Sequence, residues 1–158
     1  MSAISIETAM QHLHAEPEDQ LFVQGLLSAA EEAAMQFLQR RFYADQSDLD
    51  AAQQDSIART NAALAAYKAA EAQADLPSNA EIRCVLRDRA RQALADAYQS
   101  IDMEQFGILM NPAIQAACLL KLGHLFANRE EVVVGVSAAE LPLASRSLLM
   151  PYRIRIGV

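Results

Sequence analysis

Tryptophan is absent from this 158-residue chain, aromatics make up only 6%, and cysteine occurs twice, at Cys84 and Cys118. The cysteines lie far apart, each among helix-forming neighbours, without a CxxC pair or a companion histidine at zinc-ligand spacing. Both are therefore expected to be buried thiols in a reducing cytosol. Glycine and proline number five each and fall between the periodic segments, where they act as punctuation. No apolar run approaches the length of a bilayer span, and the opening MSAISIETAMQHLHAEPED lacks the basic start and apolar stretch of a secretory signal. The expectation is a soluble chain that is not exported and has no membrane partner.

Catalytic signatures are missing as well. His12 and His14 stand two apart, on opposite sides of any helix, and His124 has no HExxH partner. Ser145 and Ser147 lie outside any GxSxG elbow, and neither cysteine has the flanking pattern of a nucleophile. No enzyme activity, metal or cofactor is expected.

What is present is alanine, which supplies much of the 53% hydrophobic content. Abundant small residues with few aromatics suit helices packed closely side by side, and the length suits one domain, residues 1–158. Net charge is −7, which disfavours a bulk binder of nucleic acid or anionic membranes. The charge is unevenly placed. Residues 1–82 carry 13 acids and 4 bases, a net −9, whereas residues 83–158 carry 7 acids and 9 bases, a net +2. Such a chain could pair head to tail with copies of itself, or simply present two solvated faces.

Along the chain, Ser5 caps a short helix carrying Ile6, Met10 and Leu13. Glu16-Pro17-Glu18-Asp19 starts a second, since proline suits a first turn and carboxylates favour the positive end of the dipole. Leu21, Phe22, Leu26, Ala29, Ala30, Ala33, Phe37 and Leu38 give its apolar face, and it should run to about Arg41. Asp48 or Asp50 can cap a third helix reaching Ala74, with Ile57, Thr60, Leu64, Tyr67 and Glu71 at heptad-like spacing. Leu76-Pro77-Ser78-Asn79 interrupts it, and a fourth helix to about Ser100 places Ile82, Leu86, Ala90, Ala93, Ala97 and Ile101 on one face. The two should form an antiparallel hairpin.

Asn111-Pro112 opens the next helix, with Ile114, Ala117, Cys118, Lys121, Leu122, Leu125 and Phe126 inward and Lys121 at the edge of the stripe. At its exit Arg129 favours the negative dipole end and Asn128 can take a left-handed cap. Val132, Val133, Val134 and Val136 around Gly135 then favour an extended strand or arm. A last short helix, about Arg146 to Met150, ends at Pro151 and leaves Tyr152 to Val158 extended. Arg83, Arg87 and Arg91, four apart, make a basic stripe that could meet DNA or an acidic neighbour, or pair with Asp88 on a solvated face.

NPAIQAACLLKLGHLFANREEVVVG, Asn111 to Gly135, followed by LPLASRSLLMPYR, Leu141 to Arg153, resembles the head-tail connector, or head-completion, proteins of long-tailed bacteriophages and prophages. HLHAEPEDQLFVQGLLSAAEEAAMQFLQRRF resembles the opening of the same family in pattern only. The match covers roughly 80 residues in two blocks, and about 45–106 departs from the compact members as a helical-hairpin insertion. The periodicity and the resemblance together lead to the expectation of a mainly α fold: a helical bundle with that inserted hairpin, which the family pattern does not explain, and a short β-prone arm near the C-terminus. The resemblance also implies a structural subunit forming a homo-oligomeric ring between portal protein and tail-side connector proteins, through which double-stranded DNA passes without specific binding. Such a protein belongs to the virion and, during assembly, to the bacterial cytoplasm. The resemblance further implies that Asn128, Arg129 and Glu130 aim the arm, Val132, Val133, Val134 and Gly135, at a neighbouring copy. Leu148, Leu149, Pro151, Tyr152 and Arg153 match the family's terminal docking element. Arg83 and Arg87 join the expected subunit interface through the charge asymmetry. The alternative is a DNA-binding packaging factor resembling a small terminase, which would rest on the Arg83 to Arg91 stripe.

Overall fold

The structure is a computed structural model and describes residues 2–128 and 143–154. It is mostly helical, with a single two-stranded sheet among the described residues. The chain divides into two compact units, one made of 1–44 with 108–158 and the other of 45–107.

In the first unit, α1 spans Ile6–Leu13, α2 Gln20–Leu38, α5 Pro112–Ala127 and α6 Leu143–Leu149. Ser5 caps α1 by accepting from the Thr8 amide, and His14 ends it in the left-handed region at φ 50°. Pro17–Asp19 forms a 3-10 turn that leads into α2. α2 stops at Leu38, short of Arg41, because Gln39 turns left-handed at φ 57° and returns its amide to the Met35 carbonyl. Asn111 caps α5 as expected, its side chain accepting from the Ile114 amide at 2.9 Å. The last helix begins at Leu143, earlier than expected, and Pro151 does not stop it but sits inside a 3-10 turn, Met150–Tyr152. Proline fits there because the first residues of a turn need no amide donor.

The core of this unit is built from α2, α5 and α6, with Leu27, Leu38, Ile114, Leu122, Val23 and Cys118 fully buried. Each large aliphatic side chain so buried contributes roughly 1.5–3 kcal/mol. The inward face of α2 is rotated from the expected one. Val23, Leu27, Ala30, Ala34 and Leu38 point inward, while Leu21 is 82% exposed and Phe22 remains exposed. The phase was hidden by Glu31, a carboxylate on the buried stripe at 4% exposure.

Phe42–Tyr43, β1, pairs in parallel with Ile108–Leu109, β2, in the register Phe42 to Ile108 and Tyr43 to Leu109. The Ile108 amide donates to the Arg41 carbonyl at 2.8 Å and the Met110 amide to Tyr43 at 3.0 Å. Two residues per strand leave no alternating pattern for a sequence to display.

The second unit is a helical hairpin of α3, Gln46–Ala74, and α4, Ala80–Gln105. The Gln53 side-chain amide, in the first third of α3, donates to the Gln105 carbonyl at the end of α4, Arg59 at the middle of α3 reaches Glu104, and Asp75 just past α3 pairs with Arg87 in the first third of α4, so the helices run antiparallel. The cap of α3 is Asp45 rather than Asp48 or Asp50: its carboxylate accepts from the Ser47 hydroxyl at 2.6 Å and the Asp48 amide at 3.0 Å. Those bonds hold the Asp45 carboxyl below its usual range, the Ser47 hydroxyl most of all. Asn79 caps α4 through the Glu81 and Ile82 amides, and the helix continues past Ser100 to Gln105.

The seam between these helices buries Leu49, Ile101 and Met103 at one end and only small groups along the rest. Ser56, Ala74 and Ala90 are buried, and the hydroxyls of Ser56 and Thr60 are satisfied by the Gln53 and Ser56 carbonyls of their own helix. Two members of the expected α3 stripe face outward, Ile57 at 72% exposure and Leu64. On α4, Ile82 and Ala93 are likewise exposed, whereas Ala90 and Ile101 are buried. Cys84 is exposed, against the expectation of a buried thiol, because it lies off the Leu86, Ala90 and Ile101 stripe.

Candidate functional site

Within the first unit a cleft of about 490 Å³ opens between α2, α5 and α6. Its floor is apolar, formed by Ala30, Ala33, Ala34 and Phe37 of α2, Ala117 of α5 and Leu149 of α6. Its rim is cationic, formed by Lys121, Arg146 and Arg153, with Ser145 beside them. The three alanines of α2 follow helical spacing, so they lay a strip of low relief that lets α6 and the C-terminal turn approach without filling the space above it.

Two guanidinium groups converge on one ring in this cleft. The Arg153 guanidinium lies 4.9 Å from the centroid of Phe37 and that of Arg146 lies 5.7 Å from it. The ring quadrupole attracts each cation, but the two cations repel one another. Among the described residues Lys121, Arg146 and Arg153 make no ion pair. The Arg153 Nε is buried and has no hydrogen-bond partner. A buried donor of that kind calls for an acceptor.

The C-terminal turn is held in place by its backbone. Ile154 donates its amide to the Leu38 carbonyl at 3.2 Å, and the Arg40 guanidinium donates to the Tyr152 carbonyl at 3.3 Å. Burial lowers the Arg40 pKa from its ordinary value. Of the expected docking residues, Leu149 is buried, Leu148 and Tyr152 pack partly buried on the core, Pro151 is exposed, and Arg153 stacks on Phe37. The LLMPYR segment thus closes its own bundle and builds one wall of the cleft.

A second polar centre lies at Glu31. Its carboxylate accepts from the Ser2 hydroxyl at 2.8 Å, the Ile4 amide at 2.9 Å and the Ala3 amide at 3.3 Å. These bonds fasten the N-terminal segment onto α2 and seat Ile4 in the core. Burial, with the Glu31 charge adding to it, pushes the Cys118 thiol up to about 12. The arrangement is structural clamping with an inert thiol, not an activated nucleophile.

The other expected positions are dispersed. Arg83 donates to the Pro77 and Ser78 carbonyls at 2.9 and 2.8 Å, and Arg87 binds the Asp75 carboxylate through Nε at 3.1 Å and through Nη2, so both serve the turn of their own hairpin. Arg91 pairs with Asp88. Asn128 ends α5 in extended geometry, φ −118°, rather than left-handed; its side chain instead donates to the His124 carbonyl at 2.9 Å and contacts the His124 ring nitrogen. Arg129, Glu130, Val132, Val133, Val134 and Gly135, with the expected arm, lie outside the described residues. No group of three His, Cys, Asp or Glu able to hold a metal occurs among the described residues, and no described helix is long and apolar enough to cross a membrane.

The cleft was missed in the sequence although its signals were present. Lys121 interrupts an apolar stripe, and Arg146 and Arg153 stand seven apart in a segment with no acid between them. The chain matches no protein-family model, no curated protein and no solved structure.

Proposed function

We propose that the protein is a structural head-tail connector subunit of a phage or prophage, forming a ring beneath the portal through which packaged DNA passes. The observation that carries this reading is the likeness of the Asn111 to Gly135 and Leu141 to Arg153 blocks to that family. The described geometry is compatible with it: the Asn111-capped helix and the LLMPYR turn form the frame of the bundle, and the cleft carries binding groups without a paired nucleophile and base. An acidic chain suits a conduit, because a lumen that repels phosphates lets DNA slide. The DNA-binding alternative draws less support, since Arg83 and Arg87 are spent on the hairpin turn.

Native mass spectrometry and negative-stain imaging of the purified chain, alone and with its cognate portal, test the proposal. A closed ring, free or seated on the portal, is the expected result. A chain that stays monomeric and ignores the portal would overturn it.

A further inference from the structure

The cleft and the opposite end of α2 are complementary in charge and polarity. Glu16, Pro17 and Glu18 are exposed on the turn that starts α2, and Leu21, one helical turn beyond Glu18, is 82% exposed. Residues three apart share a face, so Glu18 and Leu21 present a carboxylate beside an aliphatic side chain. The cleft offers the counterparts: Lys121, Arg146 and Arg153 on the rim, and Phe37 and Leu149 in the floor. Its volume accommodates an aliphatic and a carboxylate side chain together.

Leu21 is separated from Ala34 in the cleft by 13 helical residues, about 20 Å of rise, so a chain cannot insert its own turn into its own cleft. We infer that the cleft is the receptor for the Glu16 to Leu21 turn of a second copy of this chain. The contact is heterologous, donor end to receptor end, and repeating it gives a closed ring or an open filament. The inference rests on the connector reading for its closure into a ring, and on the cleft alone for its chemistry. It also gives the charge asymmetry a location: the acids of the donor turn meet cations contributed by residues 121–153 rather than by the hairpin stripe.

The test uses two single variants, Arg146→Glu and Glu18→Arg, both at exposed positions; each loses one weak contact, Arg146 with the Phe37 ring and Glu18 with the helix dipole, so the melting temperature should fall only slightly and both chains should stay folded. Sedimentation velocity across a concentration series at low salt should show association weakened about tenfold or more in each. An equal mixture of the two should recover it. One copy then supplies an intact turn to the other's intact cleft, and at the alternate joint the two substituted positions meet with their charges exchanged, still opposite in sign. Leu21→Ser should weaken association without changing its salt dependence.

Rings that form equally well from Arg146→Glu would overturn the inference while leaving the connector reading standing. A wild-type chain that stays monomeric at every concentration would overturn the inference, and its behaviour with the portal would then decide the connector reading separately. Duplex DNA binding that is abolished by Arg146→Glu and unaffected by Glu18→Arg would assign the cleft to phosphate and overturn it too.

Discussion

Leu27, Leu38, Ile114 and Leu122 disappear completely into the bundle, whereas the hairpin, which contains the two longest helices, buries Leu49, Ile101 and Met103 at one end, turns only Ser56, Ala74 and Ala90 inward along the rest, and leaves Ile57, Leu76, Ile82 and Val85 outside. Small residues at a helix seam let the backbones approach closely, but they remove little apolar surface from water. The hairpin therefore depends more on caps, on helix propensity from its many alanines, and on polar links such as Arg59 with Glu104 and Arg87 with Asp75. Two helical units in one chain thus rest on different terms of the same free-energy balance.

The sharpest way to break the comparison is to cut a side chain from each unit. Leu122→Ala removes a fully buried side chain from the bundle and should cost about 3 kcal/mol, within the 2–5 kcal/mol found for such truncations. Ile57→Ala in the hairpin, at 72% exposure, should stay within about 0.5 kcal/mol. Urea denaturation of both variants measures the contrast, and equal losses would show that the hairpin's outer face is buried in solution.

Glu31 comes next. Glu31→Ala leaves the Ile4 and Ala3 amides without their acceptor and should cost about 1–3 kcal/mol. Hydrogen exchange should locate the damage, with protection lost at Ile4 and retained along α4. Uniform loss would mean that the clamp supports more than the N-terminal segment.

The two thiols report on the same division. Cys84 should react with a maleimide at pH 8 in the native protein, and Cys118 only after unfolding. The Cys118 thiol is raised from its ordinary 9.0 to about 12, so above pH 9 the unfolded chain releases a proton that the folded chain keeps. That contribution to stability is intact below pH 9 and is lost as the pH climbs toward about 12. A Cys118→Ala variant should lose less stability than the parent over that window in pH-dependent denaturation.

Caps and breaks were legible in the sequence where phases were not. Ser5, Asn79 and Asn111 announce helix starts because an oxygen at that position satisfies an orphan amide, a local matter of three residues. Which face points inward is decided by partners far along the chain. In α2, apolar residues occur almost all round, and the one charged residue on the buried stripe, Glu31, is explained only by two amides 27 and 28 residues upstream and a hydroxyl 29 residues upstream. In α3, polar and apolar residues are spread so evenly that hydrophobicity pointed to Ile57 and Leu64, while close packing selected Ser56 and Ala74. The cations of the cleft show in the sequence, but their convergence does not, for the same reason: Phe37, Lys121, Arg146 and Arg153 meet only after three elements have folded together.

Removing the Asn79 cap should test the hairpin's reliance on local terms. Asn79→Ala strips the acceptor from the Glu81 and Ile82 amides and should cost about 1 kcal/mol, seen as faster exchange in the first turn of α4. Arg87→Ala, which breaks a largely exposed pair with Asp75, should cost less than that, within about 0.5 kcal/mol.

The one expected gain falls in the bundle. Against the expectation that glycines fall between the periodic segments, Gly123 lies inside α5 and Gly25 inside α2, where a Cβ built on Gly25 meets nothing within 4 Å. Glycine there costs the helix roughly 0.5–1 kcal/mol relative to alanine, because the unfolded chain has more backbone freedom to lose. Gly25→Ala should therefore raise stability by about that amount without touching the core. The position is exposed and lies one turn beyond Leu21, near the turn proposed to enter a neighbouring cleft. If Gly25→Ala raises the melting temperature and leaves association unchanged, the donor surface ends before residue 25. If it raises the melting temperature and weakens association, the neighbouring copy approaches this backbone closely enough to exclude a methyl group, and the interface extends along α2.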